Sequence, residues 1–225
     1  MSRILVVTTS TSEYQKASYR TGLWLSELTH FVDAVREAGH EVEIVSITGG
    51  QIPLDPESLT SPMLALGGVG KRYRDRQHMD QLYGVKCLDE VNPDEFDAIY
   101  LTGGHGTMFD FPQALRGVIG HMAGTGKVVS AVCHGVAGLL DAEAAGRPLL
   151  EGRKVTGYSW TEEKLVRRDQ VVPFSLEEAL TSKGAEYSKA TLPMAAHVVI
   201  DGRLVTGQNP TSAKGVAKAV IDLLA

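Results

Sequence analysis

Cys133 and His134, adjacent in the middle of the chain, have the residue types and the setting for nucleophilic chemistry. They stand at the end of the apolar run Val128-Val129-Ser130-Ala131-Val132, and Gly135, Ala137 and Gly138 follow. Such a run reads as a buried strand, and the chain then enters a helix within about two residues. So tight a strand–turn–helix needs small residues around the reactive one, because a nucleophile there takes a strained backbone conformation. The turn sets the sulfur at the carboxyl edge of a sheet, where open α/β folds place their ligands. It also aims the sulfur at a helix N-terminus, whose partial positive charge is expected to favour thiolate and lower the pKa. The bland alternative is a buried structural cysteine beside an incidental histidine.

A second glycine-rich strand end weighs against that alternative. The strand Phe96-Asp97-Ala98-Ile99-Tyr100-Leu101 runs into Thr102-Gly103-Gly104-His105-Gly106. Glycines let backbone N–H groups come close to a ligand, and a pair of such donors makes an oxyanion hole. Gly103, Gly104 and His105 are therefore the candidate oxyanion and substrate-binding residues. Neither a G-x-G-x-x-G loop nor a phosphate loop is present: Gly67-Gly68-Val69-Gly70-Lys71 fails the spacing, and Arg72 replaces the hydroxyl residue. Nucleotide binding is rejected. Cys87 and Cys133 match no zinc spacing and the histidines show no ligand spacing, so no metal ligands are assigned.

The elements that must position these residues alternate short β-branched runs with amphipathic stretches, the pattern of an α/β fold with a mostly parallel sheet. Ile4 to Thr8 and Val42 to Ser46 read as strands around a helical stretch from Gly22 to Ala38, which Gly39 stops. Residues 48–93 form an irregular excursion with room for short helices around 57–66 and 75–83. A helix from Pro112 to Gly124 precedes the strand Lys127 to Val132, and His134 to Asp141 opens another helix. Val155 to Tyr158 reads as a short strand, Ser175 to Lys183 as a capped helix, His197 to Thr206 as a hairpin across Asp201-Gly202, and Thr211 to Leu224 as a closing helix.

With 225 residues and no repeat, the chain is expected to form a single domain, 1–225. A net charge of -5 argues against a nucleic-acid or anionic-membrane partner. The basic cluster Lys71, Arg72, Arg74 and Arg76 is offset by Asp75 and Asp80 and reads as a solvated face. No apolar run is long enough for a membrane span and the chain opens directly on a strand, so a cytoplasmic location with reduced thiols is the expectation.

Four stretches together resemble the DJ-1/PfpI superfamily: Thr102 to Gly106, Ala131-Val132-Cys133-His134-Gly135, Gly146-Arg147-Pro148-Leu149, and Asp201 to Pro210. Within it the chain is most similar to the glyoxalase III-type branch of stress-inducible proteins, also described as holding chaperones. The resemblance covers nearly the whole chain. It implies a flavodoxin-like, doubly wound, mostly parallel sheet with helices on both faces. It also implies cofactor-free conversion of methylglyoxal or a related 2-oxoaldehyde to a 2-hydroxy acid such as lactate, and a homodimer. By the same resemblance, Cys133 would form a hemithioacetal with the aldehyde and His134 would move the proton between the two substrate carbons. Glu27 matches the family's acid on the first helix, which hydrogen-bonds the cysteine sulfur, and the N–H groups of Gly104 and His134 would hold the oxyanion. A carboxyl facing a thiolate does not readily ionise as well, so Glu27 is expected to have a raised pKa and to act as a proton donor.

In this branch an acid that orients the histidine follows a strand like Val155 to Tyr158. Glu163 aligns with it; Glu162 is one residue away, and a pair of helix N-terminal charges is the alternative for both. Glutamine amidotransferases share the nucleophile turn but carry an H-x-E pair late in the chain. His197 is followed by Val198-Val199, so glutamine hydrolysis is discounted. Redox sensing through Cys133 oxidation, chaperone or deglycase activity, and a PfpI-like peptidase are the other readings that use the same cysteine.

Overall fold

The computed structural model describes residues 1–225. Its eleven strands, in chain order, are β1 (Arg3–Thr8), β2 (Glu41–Ser46), β3 (Lys86–Cys87), β4 (Ala98–Leu101), β5 (Val128–Val132), β6 (Glu143–Ala144), β7 (Arg147–Pro148), β8 (Lys154–Val155), β9 (Glu186–Tyr187), β10 (Val198–Asp201) and β11 (Leu204–Gly207). Seven of them form one sheet in the order β10-β11-β5-β4-β1-β2-β3. Every neighbouring pair is parallel except the β10–β11 hairpin. β6 with β7, and β8 with β9, make two small separate pairs.

The helices are α1 (Leu25–Glu37), α2 (Ser61–Leu66), α3 (Gly70–Arg74), α4 (Arg76–Asp80), α5 (Thr107–Ala114), α6 (Arg116–Gly124), α7 (Trp160–Leu165), α8 (Leu176–Ser182) and α9 (Ala213–Leu224). All residues of β4 and β5 are buried, so the sheet is covered on both faces, as the continuous apolar runs require. α1 and α9 pack together, with α9 over β5 and β11, while α6 packs on β4 and β5. This is the flavodoxin-like α/β/α architecture. From β1 the chain moves outward through β2 and β3, then returns to β4 on the other side of β1. The order reverses there, and the crevice at such a point is where doubly wound sheets bind ligands.

Several expected boundaries shift for local reasons. α1 starts at Leu25 rather than near Gly22, because the preceding residues bond elsewhere: the Leu23 N–H donates to Pro53 O and the Trp24 N–H to Gly103 O. The helix expected over Pro112–Gly124 is instead two helices broken at Leu115, with Pro112 inside α5. Proline has no N–H to continue the ladder, and α5 ends two residues beyond it. Residues Cys133–Leu139 wind as a 3-10 stretch rather than an α-helix. The Val155 strand is only two residues long. The excursion hides β3, which extends the sheet beyond β2. The basic cluster is a surface network, with Arg72 on Asp33 at 2.9 Å and Arg76 on Asp80 at 3.3 Å. No helix is long and apolar enough to cross a membrane.

One aromatic contact fixes α1 on the sheet. The Phe31 ring lies flat on Tyr100 of β4, with centroids 3.6 Å apart and planes 3° from parallel. The Tyr100 hydroxyl donates to the Glu27 carbonyl at 3.2 Å, which sets the rotation of the helix turn bearing Glu27. Phe31→Ala is expected to destabilise the protein by about 3–5 kcal/mol, read as a lower urea midpoint at unchanged slope.

Candidate active site

The C-terminal ends of β4 and β5 meet above this crevice. Cys133 follows β5 with φ 56°, in the left-handed region that non-glycine residues rarely occupy. The sheet pairing brings the glycine loop after β4 alongside, with Tyr100 opposite Ser130 and Leu101 opposite Ala131. Gly103 has to be glycine: a Cβ there would collide with Glu27 Oε2 and lie 2.7 Å from Cys133 Cβ. Gly104, at φ 104°, turns the chain against the Gly22–Trp24 segment, again with no room for a side chain. Its N–H donates to no backbone carbonyl, and neither does that of His134. The Gly104 N–H is free to receive an oxyanion, while the His134 N–H is directed at the Cys133 sulfur, beside which an oxyanion forms.

Two side chains meet the sulfur, and Glu163, His105 and Tyr158 hold one of them in place. Cys133 Sγ lies 3.3 Å from His134 Nδ1, and His134 Nε2 lies 2.8 Å from Glu163 Oε2. The second oxygen of Glu163 takes His105 Nε2, also at 2.8 Å. The His105 ring lies 4.1 Å from His134 and Tyr158 4.3 Å, so His134 is held between two rings. From the other side, the Glu27 carboxyl lies against the Cys133 sulfur while Oε2 accepts the Gly103 N–H at 2.7 Å. Glu27 Oε1 is buried with no other partner, which suits a proton carried there and directed at the sulfur.

The electrostatics follow from burial. Glu27 is wholly buried, and desolvation raises its pKa from 4.5 to about 8, so it is protonated at neutral pH. Burial, and then the facing Glu27 carboxyl, push the Cys133 thiol well above its usual range. Burial and the neighbouring His105 lower the His134 pKa, keeping the ring neutral. Burial alone would raise Glu163, but His134 and the two imidazole hydrogen bonds outweigh it and bring the pKa down to about 2. The ionised Glu163 therefore accepts Nε2–H, and Nδ1 turns its lone pair to the thiol. His105, His134 and Glu163 are also close enough to ligate an ion, with their ligand atoms within 4.8 Å of one another. As they stand, the carboxylate holds both ring N–H groups.

The structure brings Cys133, His134, Glu27, Glu163, Gly104 and His105 together and corrects two expectations. The helix-terminus argument predicts a lowered thiol pKa. The segment after Cys133 is a short 3-10 stretch, and burial beside Glu27 prevails. Gly103 is not an oxyanion donor, because its N–H is engaged by Glu27. The choice between the two glutamates is decided by the cap of α7. Ser159 caps the helix, Glu162 bonds back to the Ser159 N–H at 3.0 Å, and Glu163 is the one left facing His134. Cys133 and Cys87 are both free thiols. Above the sulfur is a cavity of about 420 Å³ whose wall includes Trp24, Met63, Leu66, Tyr158, Val166 and Met194. The excursion thus supplies part of the pocket. Sequence spacing singled out neither Trp24 nor Tyr158.

Comparison with known proteins identifies the family and the fold. A model of the DJ-1/PfpI family matches residues 21–223. The glutathione-independent glyoxalase HSP31 of Saccharomyces cerevisiae is 33% identical over 98% of this chain and 97% of its own length. Among solved structures, the Rapid Encystment Protein 24 KDa of Francisella tularensis superposes with a TM-score of 0.92 at 38% identity, covering 100% of both chains. Glyoxalase III of Candida albicans superposes with a TM-score of 0.86 at 28% identity, over 99% of this chain and 97% of that one.

The raised pKa of Glu27 gives a stability signature. The unfolded carboxyl ionises near 4.5, whereas the folded one keeps its proton up to about 8. Between those values the native state binds more protons, so the stability contributed by this group is full below the lower pKa and is lost as pH rises through the upper one. Glu27→Gln should remove that part of the slope, seen in urea midpoints of wild type and variant measured across the interval. Parallel curves would refute it.

Proposed function

The chain belongs to the DJ-1/PfpI family, and we propose that it is a glutathione-independent glyoxalase converting methylglyoxal or a related 2-oxoaldehyde to the 2-hydroxy acid. The observation that carries this reading is the relay Cys133–His134–Glu163, with contacts of 3.3 Å and 2.8 Å, set opposite a protonated Glu27. The sulfur adds to the aldehyde carbon as its proton passes to His134 Nδ1, and the oxyanion that forms is held by the Gly104 and His134 N–H groups. His134 returns that proton to the oxyanion, giving the hemithioacetal. It then takes the proton from the former aldehyde carbon, and the electron pair moves onto the ketone oxygen, giving an enediolate. Return of that proton to the neighbouring carbon, with the hydroxyl proton passing from the first oxygen to the second, leaves a 2-hydroxyacyl thioester on Cys133. Water breaks the S–C bond, the acid departs and the thiol is restored. The sum is aldehyde plus water to hydroxy acid, an internal redox step that needs no external oxidant.

The acid–base states support this sequence. A neutral His134 is available as the base at the start, and a protonated Glu27 beside the sulfur donates a hydrogen bond that steadies the negative charge developing there. A homodimer belongs to the proposal on the family resemblance; the edge strand β10 offers Ile200, 54% exposed, as an apolar contact. A cytoplasmic site of action also fits, since a reducing compartment keeps both thiols free.

Purified protein treated with a chelator and free of glutathione should form lactate from methylglyoxal. Cys133→Ala should bring turnover to background, and Glu163→Gln should lower kcat by about 10²–10⁴ by losing the His134 tautomer. A Cys133→Ala protein as active as wild type would overturn the assignment.

A further inference from the structure

The cavity is larger than a three-carbon aldehyde requires. At about 420 Å³ it falls within the range of pockets that enclose considerably larger ligands. The lining of the cavity also carries polar groups that the chemistry above does not use. Ser26 and His30 lie one turn apart on α1, and Lys214, in the first turn of α9, lines the same cavity. Ser26 is only 6% exposed, and its hydroxyl bonds to no protein group, whereas that of nearby Thr29 is engaged by His78 at 3.1 Å. Trp24, whose indole N–H bonds to no protein group, also lines the cavity. Lys183, Lys189 and Lys218 pair with Asp141, Glu177 and Asp222, but Lys214 has no carboxylate beside it. The one carboxylate along this lining, Glu57, is already paired with Arg168. Met63, Leu66, Val166 and Met194 supply the apolar part of the cavity wall.

A hydroxyl, an indole and an unpaired ammonium lining one cavity supply donors for an anion, and the apolar lining suits a hydrocarbon spacer. We propose that Trp24, Ser26 and Lys214 form a second subsite that binds an acidic group at the far end of the substrate. The preferred class is then 2-oxoaldehydes that end in a carboxylate or phosphate. This rests on the glyoxalase reading above. For 4,5-dioxopentanoate, Cys133 adds to the terminal aldehyde, the hydrogen moves to the adjacent carbon, and hydrolysis of the thioester gives 2-hydroxyglutarate. One water is consumed and no other reactant is needed.

The test compares kcat/KM for 4,5-dioxopentanoate with that for its methyl ester, in wild type and in Lys214→Glu. The acid should be preferred by about tenfold in wild type, and the preference should vanish or invert in the variant. The phosphate-ended analogue 2-oxo-3-phosphonooxypropanal, run in parallel, separates the two anions. Equal rates for acid and ester in wild type, or a ratio unmoved by Lys214→Glu, overturn the proposal. Binding is also read without turnover, as protection of Cys133 from iodoacetamide by 4-oxopentanoate but not by its methyl ester, lost in Lys214→Glu. If methylglyoxal is not converted, the glyoxalase reading fails while this measurement still decides the subsite. Equal protection by acid and ester, or none by either, sinks it.

Discussion

With both oxygens of the Glu163 carboxylate taken by imidazole N–H groups, from His105 and from His134, the protonation pattern of the whole pocket follows. An ionised acid accepting two N–H bonds in a buried setting fixes each ring's tautomer. His134 is thereby left with an unprotonated nitrogen toward sulfur, which a free imidazole would show only part of the time. Glu27 completes the arrangement from the opposite side. Two carboxyls and one thiol share a space that tolerates little net charge, and burial sorts them: Glu163 keeps its negative charge because two rings attend it, while Glu27 keeps its proton because only a single backbone N–H does.

The framework that holds these groups is more rigid than the shortness of its elements suggests. Glu162, beside Glu163 at the start of α7, accepts from Ser159, from the Met194 N–H, and from the side chains of Gln208 and Asn209. It joins the α7 N-terminus to the loop before β10 and to the turn that leads into α9. The chain segment that orients His134 is therefore tied to the turn that leads into α9, whose Lys214 lines the pocket. A buried carboxylate with this many donors is satisfied, and breaking it would leave several polar groups without partners at once.

Much of this was legible in the chain itself, and the parts that were not share a cause. Ile4 to Thr8, Ala98 to Leu101 and Val128 to Val132 announce themselves as continuous apolar runs, because parallel strands covered on both faces have no polar side to show. Cys133 and the Gly103–Gly104 pair stand out because tight turns restrict residue type. Glu163 could not be told from Glu162, since one residue along a helix is a rotation of about 100° and the frame is set by the Ser159 cap. The thiol's pKa was misjudged because a helix terminus can be read from local sequence whereas desolvation cannot: it depends on what packs above the sulfur, including Glu27 more than a hundred positions earlier. Trp24 and Tyr158 were missed for the same reason, as pocket walls are assembled from distant segments.

The left-handed backbone at Cys133 has a consequence beyond placing the sulfur. A side chain in that conformation costs roughly 1–3 kcal/mol, a penalty that glycine would escape. The position is thus one where activity and robustness pull apart: the residue that gives the molecule its reactivity also loads the scaffold, and an inert glycine would relax it. Drift toward a tougher, silent protein runs downhill at this one backbone position, and a cysteine there persists only while its chemistry is selected.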